Sequence, residues 1–123
     1  MVEIIWLGHG SFELRLPSSE VILIDPWIEG NPKYPAAHQV DRADLILITH
    51  GHSDHLNSDT IALAKKFNST VVAIHEIATW LAAKGVKDVR GMNKGGTQQV
   101  GSVAVTMTHA IHSSSLTDNG QMI

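Results

Sequence analysis

The feature that most constrains the fold is an apolar run that leads directly into a cluster of metal-binding side chains. Residues 45–49 read LILIT, which is typical of a buried strand. Residues 50–55 then read HGHSDH, and Asn57 or Ser58 stands where a helix through residues 61–66 needs its cap. A strand, a loop and a helix in this order predict that the polar cluster lies at the carboxyl end of the strand, where α/β sheets usually carry their chemistry.

The rest of the chain alternates between short apolar segments and turn residues. We predict a meander of three strands at residues 2–7, 11–16 and 20–25, followed by a long loop at 26–40. After the metal-binding cluster and its helix, we predict a strand at 70–74, a helix at 75–84 and two final strands at 98–100 and 102–108. The Gly-rich residues 93–97 lack the spacing of a phosphate-binding loop, and hairpin geometry explains them adequately. The predicted fold class is therefore α/β, a β-sheet with flanking helices.

The HGHSDH cluster combines imidazole nitrogens with a carboxylate oxygen. Such ligands suit zinc, manganese, iron or nickel, whereas calcium and magnesium favour sites made of oxygen alone. His50 and His52 lie two positions apart, so in extended backbone they project to the same side and can share one ion. Asp54 and His55 follow after a bend, where they can face a second ion. Paired metal ions activate water and polarise ester, amide or phosphoryl oxygens, so the cluster indicates hydrolysis.

A simpler interpretation applies to any single histidine, which is more often hydrogen-bonded or exposed than a metal ligand. The cluster as a whole argues against that interpretation, because three imidazoles this close would repel one another when protonated and each would need a partner when buried. A divalent cation satisfies all of them together. We therefore predict a metal site at residues 50–55.

The motif HGHSDH resembles the HxHxDH signature of the metallo-β-lactamase fold. Five further segments are similar to its branch of small bacterial and archaeal metal-dependent hydrolases, near the ascorbate-phosphate lactonases: WLGHGSF at residues 6–12, LIDPW at 23–27, VVAIHEIA at 71–78, GMNKGG at 91–96 and HAIHSSS at 109–115. The resemblance covers nearly the whole chain and implies half of an αββα sandwich. It does not identify a substrate.

The resemblance assigns the first metal to three histidines. It implies that His50 and His52 are two of them. His112 is the preferred third ligand, because the small hydroxyl residue that follows it matches the family pattern. His109 is the rival, since it lies three positions earlier at the end of a strand-like run, although it is equally well explained as a supporting or exposed residue.

The resemblance gives the second metal Asp54 and His55, with Asp54 also placed to orient the attacking water or to take its proton. His9, between two glycines, resembles an additional histidine that this branch places near the metals, and we predict that it is catalytic together with Asp54. A turn histidine without a role is the alternative. Asp25 resembles the family's supporting aspartate, and a simple turn that ends the preceding strand explains it equally well.

The chain departs from the family pattern in its last part. A bridging aspartate in a Gly-Asp-Thr context and a further histidine for the second metal are absent, and Asp118 lies in TDNG, which predicts a turn. We therefore expect residues 1–123 to be the N-terminal portion of a metallo-β-lactamase-like domain whose C-terminal portion is missing. The face that would meet the second sheet should then be apolar and exposed, which favours a homo-oligomer.

Composition argues against two classes of partner. Nine basic and twelve acidic residues give a formal net charge of -3, which favours neither nucleic acid nor an anionic membrane. The apolar runs are one strand long, far below the ~18 residues of a membrane helix. Met1 is not followed by a basic and then apolar leader, and the absence of cysteine permits the expected cytoplasmic location.

The functional prediction is a metal-dependent hydrolase of a small-molecule substrate. It would use hydroxide bound to one or two zinc or manganese ions to attack an ester, lactone or phosphoester. The alternative is a catalytically incomplete metal-binding fragment or assembly module, in which an ion orders the loop without turnover. Redox chemistry at iron, which the resemblance also permits, would need a flavin or a thiol substrate that no residue indicates.

Overall fold

The computed structural model describes residues 1–123, and its central feature is a mixed six-stranded sheet whose strands neighbour one another in chain order. Its strands are β1 (Glu3–Gly8), β2 (Ser11–Arg15), β3 (Val21–Ile24), β4 (Leu45–Leu47), β5 (Thr70–Ile74) and β6 (Asp88–Met92). The first three pair antiparallel, which confirms the predicted meander. From β3 to β6 the pairing is parallel, and helices α1 (Ser58–Phe67) and α2 (His75–Ala83) connect the last three strands.

Two small hairpins complete the elements. The first joins β7 (Thr97–Val100) to β8 (Val103–Thr106), and the second joins β9 (Thr117–Asp118) to β10 (Gln121–Met122). Asn119 and Gly120 link the second pair with φ angles of 51° and 78°, as a two-residue hairpin turn requires, so the turn predicted around Asp118 is confirmed. Neither of the two helices has the length and apolar character that crossing a membrane would demand.

The two faces of the large sheet are covered differently, because successive strand residues point to opposite sides. On one face, Leu23, Ile46 and Val71 pack with Ile77 and Leu81 of α2 in one buried cluster. Burial of each such side chain contributes roughly 1.5–3 kcal/mol. A second cluster occupies the other face, where the alternate residues of the strands pack with the β7–β8 hairpin; its buried members are Ile22, Leu45, Val72, Met92 and Val100. Helices, sheet and hairpin form three layers, which fits the expected half of an αββα sandwich.

Helix α1 begins as the sequence predicts. The side chain of Asn57 accepts a hydrogen bond from the backbone N–H of Asp59 over 3.0 Å, and Thr60 completes a capping box. Asp59 also accepts hydrogen bonds from the backbone N–H groups of Ile28 and Glu29, over 2.7 and 3.0 Å. The helix that follows the HGHSDH loop is thereby tied to the long loop before β4.

That long loop is fixed by buried polar side chains rather than by regular structure. The side-chain amide of Asn31 donates to the backbone oxygens of Leu7, Gly8 and Trp27 over 3.0–3.2 Å. Farther along the loop, His38 Nε2 lies 2.8 Å from Glu13 Oε2, in a carboxylate that is 1% exposed. Satisfied polar groups of this kind hold a loop firmly, because breaking any one of them leaves a buried group without a partner.

One strand of the sheet was not predicted, one turn prediction is wrong, and one strand is shorter than predicted. The strand β6 (Asp88–Met92) was not predicted, because Asp88, Arg90 and Gly91 interrupt its apolar pattern at the edge of the sheet. Residues 93–97 do not form a hairpin turn, because they lead from β6 to β7, which belong to different sheets. Strand β4 also ends at Leu47 rather than Thr49, since the backbone N–H of Thr49 turns to bond the carboxylate of Asp25 over 2.8 Å.

Candidate metal centre

Four loops converge at one edge of the large sheet and bring together the histidines that the sequence singles out. The parallel strands β3 and β4 end at this edge, and they are followed by Asp25 and by the HGHSDH loop. The β1–β2 turn brings His9, whose φ of 55° lies in the left-handed region. The segment after β8 brings His112. The site therefore draws on residues from nearly the whole length of the chain.

His50, His52 and His112 form the first group of donor atoms. One ring nitrogen from each lies within 4.8 Å of the others. The ring centroid of His50 is 4.7 Å from that of His52 and 4.5 Å from that of His112. The geometry brings together the three histidines expected for the first metal, and their role as ligands stays a prediction.

The hydrogen bonds of His50 and His112 determine which ring nitrogen of each can bind a metal. His112 Nδ1 lies 2.6 Å from the backbone oxygen of Ser113, which can only accept, so the proton is on Nδ1 and the lone pair is on Nε2. The hydroxyl of Thr49 donates to Asp25 Oδ2, so it accepts the Nδ1 proton of His50 over 2.8 Å. Each arrangement is the one in which a histidine offers Nε2 to a metal.

His50 supplies the test of whether a metal fits. Its Nε2 is buried and has no hydrogen-bond partner, although the lone pair of a buried imidazole nitrogen ordinarily finds one. His52 and His112 each have a ring nitrogen within 4.8 Å of a ring nitrogen of His50. A divalent cation would satisfy all three nitrogens, so the residues present fit a metal of the kind that prefers nitrogen ligands.

His9, Asp54 and His55 form a second group, which adjoins the first through the 4.1 Å contact between the rings of His55 and His50. Asp54 Oδ2 is 2.7 Å from His9 Nε2 and 3.7 Å from His55 Nε2. The side chains of His9 and Asp54 are 47% and 38% exposed, so this group opens toward solvent. It contains the residues expected for the second metal together with the predicted catalytic histidine, and their roles also stay predictions.

Asp25 connects the two groups from below. Its Oδ2 accepts hydrogen bonds from Nδ1 of His55, over 2.8 Å, and from the hydroxyl of Thr49, which in turn holds His50. Its Oδ1 accepts the backbone N–H of Thr49 over 2.8 Å. Asp25 shares a possible metal-binding group with His50 and His55, but both of its oxygens are already engaged and the residue is 2% exposed. The geometry therefore suits Asp25 to orienting ligands rather than to being one.

Electrostatics favour the neutral form of His50 and the ionised form of Asp54. Burial lowers the pKa of His50 below its ordinary 6.5, and the neighbouring imidazoles, His55 foremost, lower it further against the opposing effect of Asp25. Burial acts to raise the pKa of Asp54, but the hydrogen bond from His9 and the charge of His55 outweigh it, so the pKa lies below its ordinary 3.8. Neutral imidazoles and an ionised carboxylate are the forms that bind metals.

Two glycines permit the close packing of the site. A Cβ at Gly51 would lie 2.0 Å from the backbone oxygen of Ser115, and the N–H of Gly51 donates to Ser114 Oγ over 3.0 Å. A Cβ at Gly10 would lie 2.7 Å from Cε1 of His55. Gly51 therefore allows the segment that carries His112 to lie against the HGHSDH loop, and Gly10 allows His55 its place beside the β1–β2 turn.

Some site residues differ from the sequence interpretation. His109 does not join any cluster of potential ligands, and its Nδ1 instead faces Lys94 Nζ at 3.4 Å. Sequence reasoning missed Thr49, which connects Asp25 to His50. The signal for Thr49 was available, because a β-branched hydroxyl residue directly before the histidine cluster at a strand end can bond both its neighbour and an adjacent strand end.

Comparison with known proteins gives one family. Residues 20–123 match the family model described as the beta-lactamase superfamily domain. A protein of Solibacter usitatus and one of Koribacter versatilis, both named UPF0173 metal-dependent hydrolase, are 57% and 51% identical over 99% of the chain, and the matches cover 53% and 52% of those proteins. The chain thus spans about half the length of the curated relatives it matches.

A solved structure gives the same picture of the fold. Igni18, described as a novel metallo hydrolase from the hyperthermophilic archaeon Ignicoccus hospitalis, superposes with a TM-score of 0.79 at 31% identity. The match covers 92% of this chain and 50% of Igni18. The similarity therefore covers most of this chain.

Proposed function

This chain belongs to the beta-lactamase superfamily domain family, and from that premise we propose that the whole protein is a metal-dependent hydrolase of an ester, a lactone or a phosphoester. The names of the relatives, metal-dependent hydrolase and metallo hydrolase, agree with this class of reaction. We further propose that the ion is zinc or manganese, since the donors are imidazole nitrogens and a carboxylate. The proposed substrate is a small molecule, and the proposed location is the cytoplasm.

One observation carries the proposal: the buried Nε2 of His50 has no partner and lies among the nitrogens of His52 and His112. A structural cluster of histidines would satisfy such an atom with a protein group. In this structure the Thr49 hydroxyl and the Ser113 backbone oxygen instead bond the other ring nitrogen, Nδ1, of His50 and of His112. The rings are thus oriented so that their free nitrogens converge, which supports His50, His52 and His112 as the residues that hold the first ion.

When bound, a divalent ion supplies Lewis-acid chemistry, in that it lowers the pKa of a water and polarises a carbonyl or phosphoryl oxygen. The residues of this chain would position the water and accept its proton. Asp54 is ionised at neutral pH, and its lowered pKa keeps it so in more acidic solution, so its carboxylate can accept a proton from the attacking water. His9 donates its Nε2 proton to Oδ2 over 2.7 Å, which fixes the carboxylate and leaves Oδ1 for the water.

Metal content and turnover measured on the same samples test the proposal. We expect the whole protein to bind zinc or manganese and to hydrolyse a generic aryl ester or lactone. His112→Ala should lower both the metal content and the rate, whereas Asp54→Asn should lower the rate by about 10² or more while one ion stays bound. His75→Ala, which changes an exposed histidine at the start of α2, is the control and should leave both unchanged. Metal content that is equal in wild type and His112→Ala would contradict the proposed ligand set.

A non-catalytic metal-binding module is the second candidate. The exposure of His9 and Asp54, at 47% and 38%, favours it, because an active site usually excludes water more completely. In that case one ion per chain would order the HGHSDH loop, and no ester, lactone or phosphoester would be turned over. Two ions with turnover support the hydrolase, and one ion without turnover supports the module.

We also propose that the open edge of the large sheet is covered in the working protein. β1 has a neighbour on one side only, and its Ile4 and Trp6 are 66% and 54% exposed. Exposed apolar side chains on an unpaired strand favour association, either with a second copy or with a further part of the same protein. Light scattering on the whole protein distinguishes the two, since only the first gives a concentration-dependent dimer.

A further inference from the structure

A cavity of about 380 Å³ lies directly beside the first group of histidines. Its wall includes His50, His112 and Lys94. The hydroxyl residues Ser113 and Ser114, which follow His112 in the chain, also line it. No Asp or Glu lines this cavity. The charged and polar groups of its wall are thus neutral or positively charged, which suits an anion.

The backbone position of Lys94 is fixed by the turn in which it lies. It follows Asn93 in a turn that is closed by a hydrogen bond from the N–H of Gly96 to the oxygen of Asn93, over 3.1 Å. Gly95 has a φ of 82°, the positive value that a type II turn requires at its third residue. The N–H of Gly95 also bonds the oxygen of Met107 over 2.8 Å, which fixes the turn to the strand segment leading to His112.

The charge of Lys94 has no counter-ion. No carboxylate lies within 4.0 Å of its Nζ, unlike Arg15, Arg42, Lys84 and Arg90, which have acidic partners. Other lysines, Lys87 among them, are also unpaired, and what sets Lys94 apart is its place in the wall of the cavity. The side chain of Lys94 makes one hydrogen bond to another side chain, from Nζ to Nδ1 of His109 over 3.4 Å. Because an ammonium group only donates, His109 accepts at Nδ1 and carries its proton on Nε2, so the pair presents further N–H donors.

We propose that Lys94, positioned by His109, binds an anionic group of the substrate, a carboxylate or a phosphate, while the bond to be hydrolysed lies at the histidine cluster. This inference rests on the proposed function, and it narrows the substrate to an ester, lactone or phosphoester that bears a negative charge away from the reacting centre. Lysine serves as a point charge for such groups, and the neighbouring serine hydroxyls add donors. The Gly-rich residues 93–97, which form neither a phosphate-binding loop nor a hairpin, then have the role of positioning Lys94.

The first experiment measures binding without turnover. Inorganic phosphate and succinate are titrated separately into the full-length, zinc-loaded protein, and the amide signals of Gly95 and Gly96 are followed by ¹H–¹⁵N NMR. We expect Lys94→Gln to weaken binding of the preferred anion about fivefold and Lys94→Arg to retain it, as for a partly exposed charged contact. Lys87→Gln is the matched control, because Lys87 is exposed, has no acidic partner and lies outside this cavity. The anion that responds to Lys94 identifies the phosphate or the carboxylate.

The second experiment compares two aryl esters that differ in charge, 4-nitrophenyl butyrate and the hemisuccinate of 4-nitrophenol. We expect Lys94→Gln to raise KM for the charged ester about fivefold, with little change for the neutral one and little change in kcat. Anion binding that depends on Lys94 without any ester turnover would reject the hydrolase and keep the anion site. Turnover in which Lys94→Gln and Lys87→Gln behave alike for both esters and both anions would reject the anion site and keep the hydrolase.

Discussion

The buried carboxylate of Asp25 accepts a hydrogen bond from Nδ1 of His55, in the second candidate metal group, over 2.8 Å. The same oxygen accepts the hydroxyl proton of Thr49, which holds His50. Asp25 achieves this with a φ of 45°, which turns the chain sharply at the end of β3. A residue that touches no substrate can therefore control how well the ligands converge.

Asp25→Asn should weaken metal binding although every proposed ligand is retained. The amide has one accepting oxygen where the carboxylate has two, so at least one of its three hydrogen bonds is lost. We expect the affinity for zinc to fall about 10- to 100-fold. Competition with a chromophoric chelator measures it, and Asp41→Asn, at an exposed position, is the control. Asparagine tolerates a positive φ, so a loss of affinity is not explained by the backbone; unchanged affinity would show that Asp25 does not orient the ligands.

Gly51→Ala should separate His112 from His50 and His52. The added Cβ would lie 2.0 Å from the backbone oxygen of Ser115, so the segment after β8 has to move away. We expect zinc affinity to fall at least tenfold, because one of three ligands leaves its place, while the large sheet remains folded. Ser53→Ala, an exposed change in the same loop, should bind zinc as the wild type does. Equal affinities in the two variants would mean that His112 is not a ligand.

The metal-free protein should lose stability as the pH falls below about 6.5. Burial and neighbouring imidazoles lower the pKa of His50 in the folded state, so the unfolded chain binds more protons there, and the free energy of unfolding decreases with falling pH. Urea unfolding of chelator-treated protein at several pH values between about 5 and 8 measures this. His50→Asn should flatten the profile in that window. The lowered carboxylates, such as Asp54, act only below their ordinary pKa of 3.8, so a profile that is unchanged in His50→Asn would be evidence against the assignment.

Asn31→Ala should destabilise the fold and disturb His9. The side-chain amide of Asn31 serves three backbone oxygens, and two of them, those of Leu7 and Gly8, directly precede His9. Leaving such buried acceptors without donors costs about 2–3 kcal/mol. Denaturant unfolding measures the free energy, with Asn93→Ala, whose exposed side chain makes no hydrogen bond, as the control. A change in free energy no larger than that of the control would show that other contacts fix the long loop.

The sequence predicts the elements around the HGHSDH loop well, because their signals are local. The apolar alternation of β1 to β3, the cap of α1 and the turn at Asn119 and Gly120 each depend on neighbouring residues in the chain. Strand β6 was missed because its signal is not local. Its place is determined by pairing with β5 along the whole strand, and its own composition does not indicate a strand; the pairing runs from Thr70 with Asp88 to Ile74 with Met92. Pairing across a crossover helix leaves little trace in the edge strand itself.

By itself the sequence determined which chemical groups are present and which of them lie on one loop, because strand and helix periodicity and ligand type are local properties. The resemblance preferred His112 to His109, and the tertiary structure shows that His112 and not His109 lies with His50 and His52. Only the tertiary structure shows that Lys94 lines a cavity beside them. Gly51 and Ser114, 63 residues apart, have to pack and bond for this to happen. Contacts between residues so far apart in the chain depend on the space that a glycine leaves and on which partner each buried polar atom finds. Neither can be read from the neighbouring residues in the sequence.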